Sequence, residues 1–231
     1  VQTTSIISTS ALVFTFLSPW WGRKSDQIGR KIVIVIGLTG YAAGTVLFAV
    51  VFALGMKGIL TGWGLYFTAL ICRCLQSSLM AATSPGVTAY AADHSSRAFR
   101  TRTLARIGTA NSLGLIIGPV LAGLLAGFGL LAPLYIAALF TFVAVFVVWR
   151  YLPEGYSPDT PRKRTPRLSF LDVRLRVYLL SAIGIFTGFS AIQQTLGFRI
   201  QDSLSLNGVE TAQYTGAALM VSAFFTLALQ L

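Results

Sequence analysis

Between Ile32 and Met56 the chain carries no ionised side chain. The same holds from Val1 to Gly22, Ile107 to Trp149, Val177 to Phe198 and Thr211 to Leu231. About 20 apolar residues are enough to carry a helix across a hydrocarbon layer roughly 30 Å thick. Four of these runs match one such helix each. The run from Ile107 to Trp149 matches two, folded at Gly127, Gly129 and Pro133, and Gly58 to Ala92 adds a span interrupted only by Arg73. The pattern predicts an all-α membrane protein with seven helices.

Only 11% of the 231 residues are charged and 55% are hydrophobic, against roughly 25% charged in soluble domains. The net charge of +11 invites a nucleic-acid reading, so the placement of the cations decides the matter. Fifteen of the 18 Lys and Arg fall in the segments 23–31, 97–106 and 150–176. Lys57 and Arg199 lie on the other side, and Arg73 lies within a span. That asymmetry is the positive-inside rule, which puts loops 22–31, 93–106 and 153–174 in the cytoplasm and leaves no need for a nucleic-acid partner. Cys72 and Cys74 point to different faces of a helix. With His94 as the single histidine, the chain offers no standard zinc set. Val1 to Leu17 has no basic leader and runs straight into a basic loop, so it reads as a mature span. An odd helix count, with Leu229-Gln230-Leu231 still apolar, reads as part of a longer bundle.

Two spans are joined by Gly22-Arg23-Lys24-Ser25-Asp26-Gln27-Ile28-Gly29-Arg30-Lys31. Pro19 and the pair Trp20-Trp21 are expected to end the first span at the membrane interface. Gly22, Asp26, Gly29, Arg30 and Lys31 resemble the signature loop after the second helix of the major facilitator superfamily of transporters. The resemblance implies that Asp26 meets the positive end of a helix in the opposite half of the bundle. It also implies that Arg30 pairs with an acid ending the fourth helix, for which Asp93 is the residue in place. Both contacts would exist only while the cytoplasmic gate is closed. Gln27 stands where the family usually has Arg or Lys.

Arg73 stands in mid-membrane, where a cation costs at least about 2.5 to 3.5 kcal/mol on insertion scales. Gln76, Ser77, Met80 and Ser84 follow it at helical spacing and give it a polar stripe. Arg73-Cys74-Leu75-Gln76-Ser77 is similar to the family's second motif, in which the Arg faces the central cavity and is implicated in proton coupling. Gly37, Gly40 and Gly44 are spaced for helix packing. In the next span Gly114, Gly118, Pro119 and Gly123 form an extended glycine pattern. It resembles the bent fifth helix of the antiporter branch, where it is read as a seal against proton leak. Asn111, one turn earlier, is a cavity candidate.

Residues 1–152 therefore read as an N-terminal half-bundle, 153–174 as a cytoplasmic linker rich in Pro and cations, and 175–231 as the start of a C-terminal half. The last begins with a span bearing Gln193-Gln194 near its outer end. By its motifs the chain runs from the second to the eighth helix of a twelve-helix transporter. The resemblance implies a secondary transporter of the drug/proton antiporter branch, exporting small hydrophobic or drug-like molecules in exchange for protons. Substrate and protons would meet at Arg73, Gln76, Met80, Asn111 and Gln193. The lipid bilayer is the remaining partner, the full-length state a monomer, and the setting a bacterial inner membrane, with no cofactor or metal implied. Gln193-Gln194 supports a sugar or metabolite porter as the alternative, and a non-transporting receptor of the same fold is the other. An intramembrane enzyme would need a nucleophile with a base, or paired ionisable groups, inside the spans, where Arg73 alone is charged.

Overall fold

The computed structural model describes residues 2–96, 99–153 and 173–230. Eight helices fill these segments: α1 (Gln2–Ile28), α2 (Arg30–Met56), α3 (Gly62–Met80), α4 (Thr83–Asp93), α5 (Arg100–Ala126), α6 (Ala132–Tyr151), α7 (Val173–Leu204) and α8 (Gly208–Gln230). Five stretches are long and apolar enough to cross a membrane, and one of them, Gly62–Asp93, joins α3 and α4. The remaining two expected spans, α1 and α8, are helical over 27 and 23 residues but are not among those five. Hydroxyl residues make α1 less apolar, and it accommodates them internally. Ser10 Oγ and Thr15 Oγ1 donate to Ile7 O and Ala11 O, while Ser5 Oγ reaches Tyr66 Oη at 2.9 Å.

Two boundaries differ from the sequence reading. First, α1 does not stop at Trp21. It runs through Pro19 and on to Ile28, so most of the signature loop is helical and Gly29 alone (φ 99°) breaks the path into α2. Trp21 accordingly packs inward, its Nε1 donating to Ser78 O at 2.7 Å. Second, the Arg73 span is broken at Ala81–Ala82. Pro85 explains the position: it has no N–H to offer Ala81 O, and a proline ring crowds the carbonyl four residues back. The expected turn between α5 and α6 is present, with Gly129 at φ 147° and Pro133 in the first turn of α6.

By its contacts the chain forms two compact units, Val1–Gly114 with Phe128–Tyr156, and Leu115–Gly127 with Ser157–Leu231. In the first, α2 packs against α3, α4 and α6, and α1 against α2, α3 and α4; in the second, α7 packs against α8. The first unit is built on small residues. Ala42, Ala49, Ala69, Ala81 and Ala82 are buried, and large side chains such as Phe140, Phe146 and Trp149 point outward. That inversion suits lipid, where helices associate through close backbone approach and gain nothing from burying Leu or Phe. The glycines of α2 provide the approach: a Cβ on Gly37 would fall 2.8 Å from Thr83 N, and one on Gly44 2.6 Å from Gln76 Cβ.

Glu154, Arg97, the linker with Leu168-Ser169-Phe170, and the side chain of Gln194 lie outside the described residues.

Candidate functional site

At the basic end of the first unit, Arg30 is the centre of a polar cluster. Its Nε lies 3.2 Å from Asp93 Oδ2 at the end of α4, the pairing read from the sequence. Nη2 bonds Asp26 Oδ1 one turn back, and Nη1 bonds Ser25 Oγ and, at 3.5 Å, Gly22 O. A guanidinium can hold this many acceptors at once because its five N–H groups project in one plane. Ser25, which the sequence reading passed over, is 1% exposed and also donates to Gly22 O at 2.7 Å. A short residue between a cation and the motif acid was the only available signal. A Cβ placed at Gly22 would make ordinary contact with Pro85 Cβ at 3.6 Å. Lys31 is half-buried at the start of α2.

Three successive carbonyls at the end of α4 are engaged, that of Tyr90 by His94 N at 3.0 Å. Ser95 Oγ donates to Ala91 O, Arg100 Nη2 donates to Ala92 O at 3.1 Å, and the His94 ring stacks on Tyr90. Arg100, expected only to anchor topology, thus also caps the negative end of a helix dipole. Tyr90 Oη donates to Pro153 O at 3.2 Å, tying the same helix end to the close of α6.

Arg73 and Gln76 form a second cluster, and it faces α2. Gln76 is 2% exposed, and its Nε2 donates to Thr45 Oγ1 (2.7 Å) and Tyr41 O (3.3 Å). Its Oε1 accepts from Arg73 Nη1 at 2.6 Å, and the guanidinium lies 5.4 Å from the centre of the Phe48 ring. The amide is therefore fully used in holding Arg73.

A cavity of about 640 Å³ opens in the first unit, with Tyr41 shared between its lining and the Gln76 cluster. Met80 and Asn111 line it, together with Phe14, Leu38, Tyr41, Thr83, Ser84, Thr88, Ile107 and Thr141, whereas Arg73 and Gln76 do not. Gln193 belongs to the second unit and is exposed on α7. The five expected cavity residues are thus divided among three places. Nothing among the described residues lies within 4 Å of a Cβ placed on Gly114 or Gly118. A Cβ placed at Gly123 would lie 3.4 Å from Gln213 Cα of α8, and Pro119 O sits 2.6 Å from a Cβ placed at Gly216.

These features, an Arg-centred charge cluster at a helix hairpin and a cavity lined by uncharged residues, are accompanied by a match over residues 1–231 to the sequence profile of the Major Facilitator Superfamily. The chain belongs to the major facilitator superfamily. Members of this superfamily are membrane transporters and not enzymes. Among curated relatives, Multidrug resistance protein 1 of Bacillus subtilis strain 168 is 32% identical over 220 residues, covering 93% of this chain and 54% of that protein. Multidrug resistance protein 2 of the same organism is 31% identical over 66% of this chain and 35% of its own length. The class B tetracycline resistance protein of Escherichia coli is 30% identical over 64% and 34% respectively. The chain thus spans about a third to a half of the length of these three relatives.

Proposed function

We propose that this chain is part of a secondary transporter that exports small apolar, drug-like molecules in exchange for protons by alternating access. The observation that carries the reading is the Arg30 cluster. One guanidinium joins the end of α1, the start of α2 and the end of α4, which suits a contact made in one gate state and broken in the other. Gly22, Asp26, Gly29, Arg30, Lys31 and Asp93 form that gate, with Asp26 shared between Arg30 and the opposite half of the bundle. Gly114, Gly118, Pro119 and Gly123 shape the bend and seal of α5. The cavity beside Met80 and Asn111 receives the substrate, and Arg73, held by Gln76 against Phe48, responds to protonation from behind the cavity wall. The multidrug and tetracycline resistance relatives support the export of drug-like molecules.

In this reading residues 1–152 form the N-terminal half, 153–174 a cytoplasmic linker and 175–231 the beginning of the C-terminal half, in a bacterial inner membrane. The full-length transporter acts as a monomer. A ligand shifts such an equilibrium only by its differential affinity for the two states. The test is Asp26→Asn in the full-length protein. Insertion and thermal stability should persist while transport of the neutral lipophilic dye Nile red into inverted vesicles falls about tenfold or more, the scale of a lost charge-assisted contact. Transport at the full rate would sink the gate. A receptor of the same fold is separated by mixing the same dye with the solubilised protein, since only an antiporter releases protons.

A further inference from the structure

The cavity beside α4 and α5 is polar at only a few points, and those points are not equivalent. None of its lining residues is acidic or basic. Thr88 Oγ1 spends its hydrogen on Ser84 O (2.7 Å) and Thr141 Oγ1 spends its own on Ala137 O (2.8 Å), so each presents only lone pairs to the cavity. Tyr41, Thr83 and Ser84 each add a single hydroxyl, that of Thr83 buried and without a partner among the described residues. Asn111 differs in carrying an acceptor and two donors on one planar group. It is exposed at mid-length of α5, and its amide makes no protein hydrogen bond among the described residues. Across from it the wall is apolar, from Phe14, Leu38 and Met80.

The geometry assigns Asn111 as the residue that selects the substrate, and points to a neutral, largely apolar molecule carrying an amide or lactam edge; this rests on the cavity being the transport site. A carboxamide holds a carbonyl and N–H donors side by side in one plane, so it matches a cis amide with two hydrogen bonds, where a ketone or hydroxyl would make one. In an apolar cavity an amide left unmatched keeps its full desolvation cost, so ligands lacking the edge are rejected more strongly than ligands differing by a methylene. A ligand with a fixed charge meets no counter-charge on this wall.

Phenanthridinone, its N-methyl derivative and phenanthrene share one ring frame and differ only at this edge. Their binding is measured by fluorescence on the full-length protein in nanodiscs, corrected for partition into empty discs. The wild type should bind phenanthridinone about tenfold more tightly than phenanthrene, the scale of one or two well-made hydrogen bonds, and N-methylation should remove most of that preference. Asn111→Leu should bind phenanthrene within about threefold of the wild type, which shows an intact cavity, and lose the lactam preference. Asn111→Gln should recover part of it. A lactam preference that survives Asn111→Leu, or an equal loss for all three ligands, overturns the assignment and leaves the transport reading standing. Failure of the wild type to bind any of the three overturns both.

Discussion

Gly44→Ala and Gly64→Ala are the same chemical change with opposite expected signs. At position 44 a Cβ would meet Gln76 Cβ and Cγ at 2.6 Å and its Cα at 3.1 Å, so α2 must retreat from α3, while at position 64 nothing lies within 4 Å. Gly44→Ala should cost about 1 to 3 kcal/mol through overpacking, and Gly64→Ala should gain up to about 1 kcal/mol from restricting the unfolded chain. Thermal unfolding in detergent reads both, and equal shifts would mean that the α2–α3 contact is not close. Residue identity alone carried some of the site. Arg30 and Asp93 could be matched from sequence because an apolar chain has few charges to pair. The direction of Gln76 could not. Arg73, Gln76 and Met80 do share one side of a helix, but that side meets α2 at Gln76, where Gly44 allows contact, and opens to the cavity only at Met80. Which part of a stripe touches a neighbour is decided by the neighbour.

Helix ends show the same division at the next scale. The turn after Ala126 was legible because Gly127, Gly129 and Pro133 all break a helix. The continuation of α1 through Pro19 to Ile28 was not, since a run of cations looks like a loop whether or not it is helical. The break at Ala81–Ala82 had a visible cause in Pro85, overlooked because the span was judged by its charges. At α8, Asn207 and Glu210 form a reciprocal cap: Glu210 N donates to Asn207 Oδ1 at 2.9 Å and Asn207 N to Glu210 Oε2 at 3.1 Å. This is the capping-box arrangement, and it gives Glu210 a local role at the start of α8. Asn207→Ala should weaken the first turn of α8 by about 0.5 to 2 kcal/mol. Amide exchange at Glu210 and Thr211 should quicken about 2- to 30-fold with α2 unchanged. Unaltered exchange there would show that the cap contributes nothing.

For the whole molecule, the placement of cations predicts orientation, and small residues hold the first unit together, two properties the sequence reports independently. The first predicts that Ile59→Cys, in a background lacking Cys72 and Cys74, reacts with an impermeant maleimide on intact cells. Gln27→Cys should react only once the membrane is opened, and the reverse order would invert the assigned topology. The second depends on how α1 is turned back onto α2, and there a single residue does the work. At φ 99° and ψ 144°, Gly29 occupies a region of backbone space close to one reserved for glycine. An L side chain of any size or polarity is strained at this position. The chain therefore turns on its one achiral building block, and the Arg30 cluster inherits its geometry from an atom that is absent.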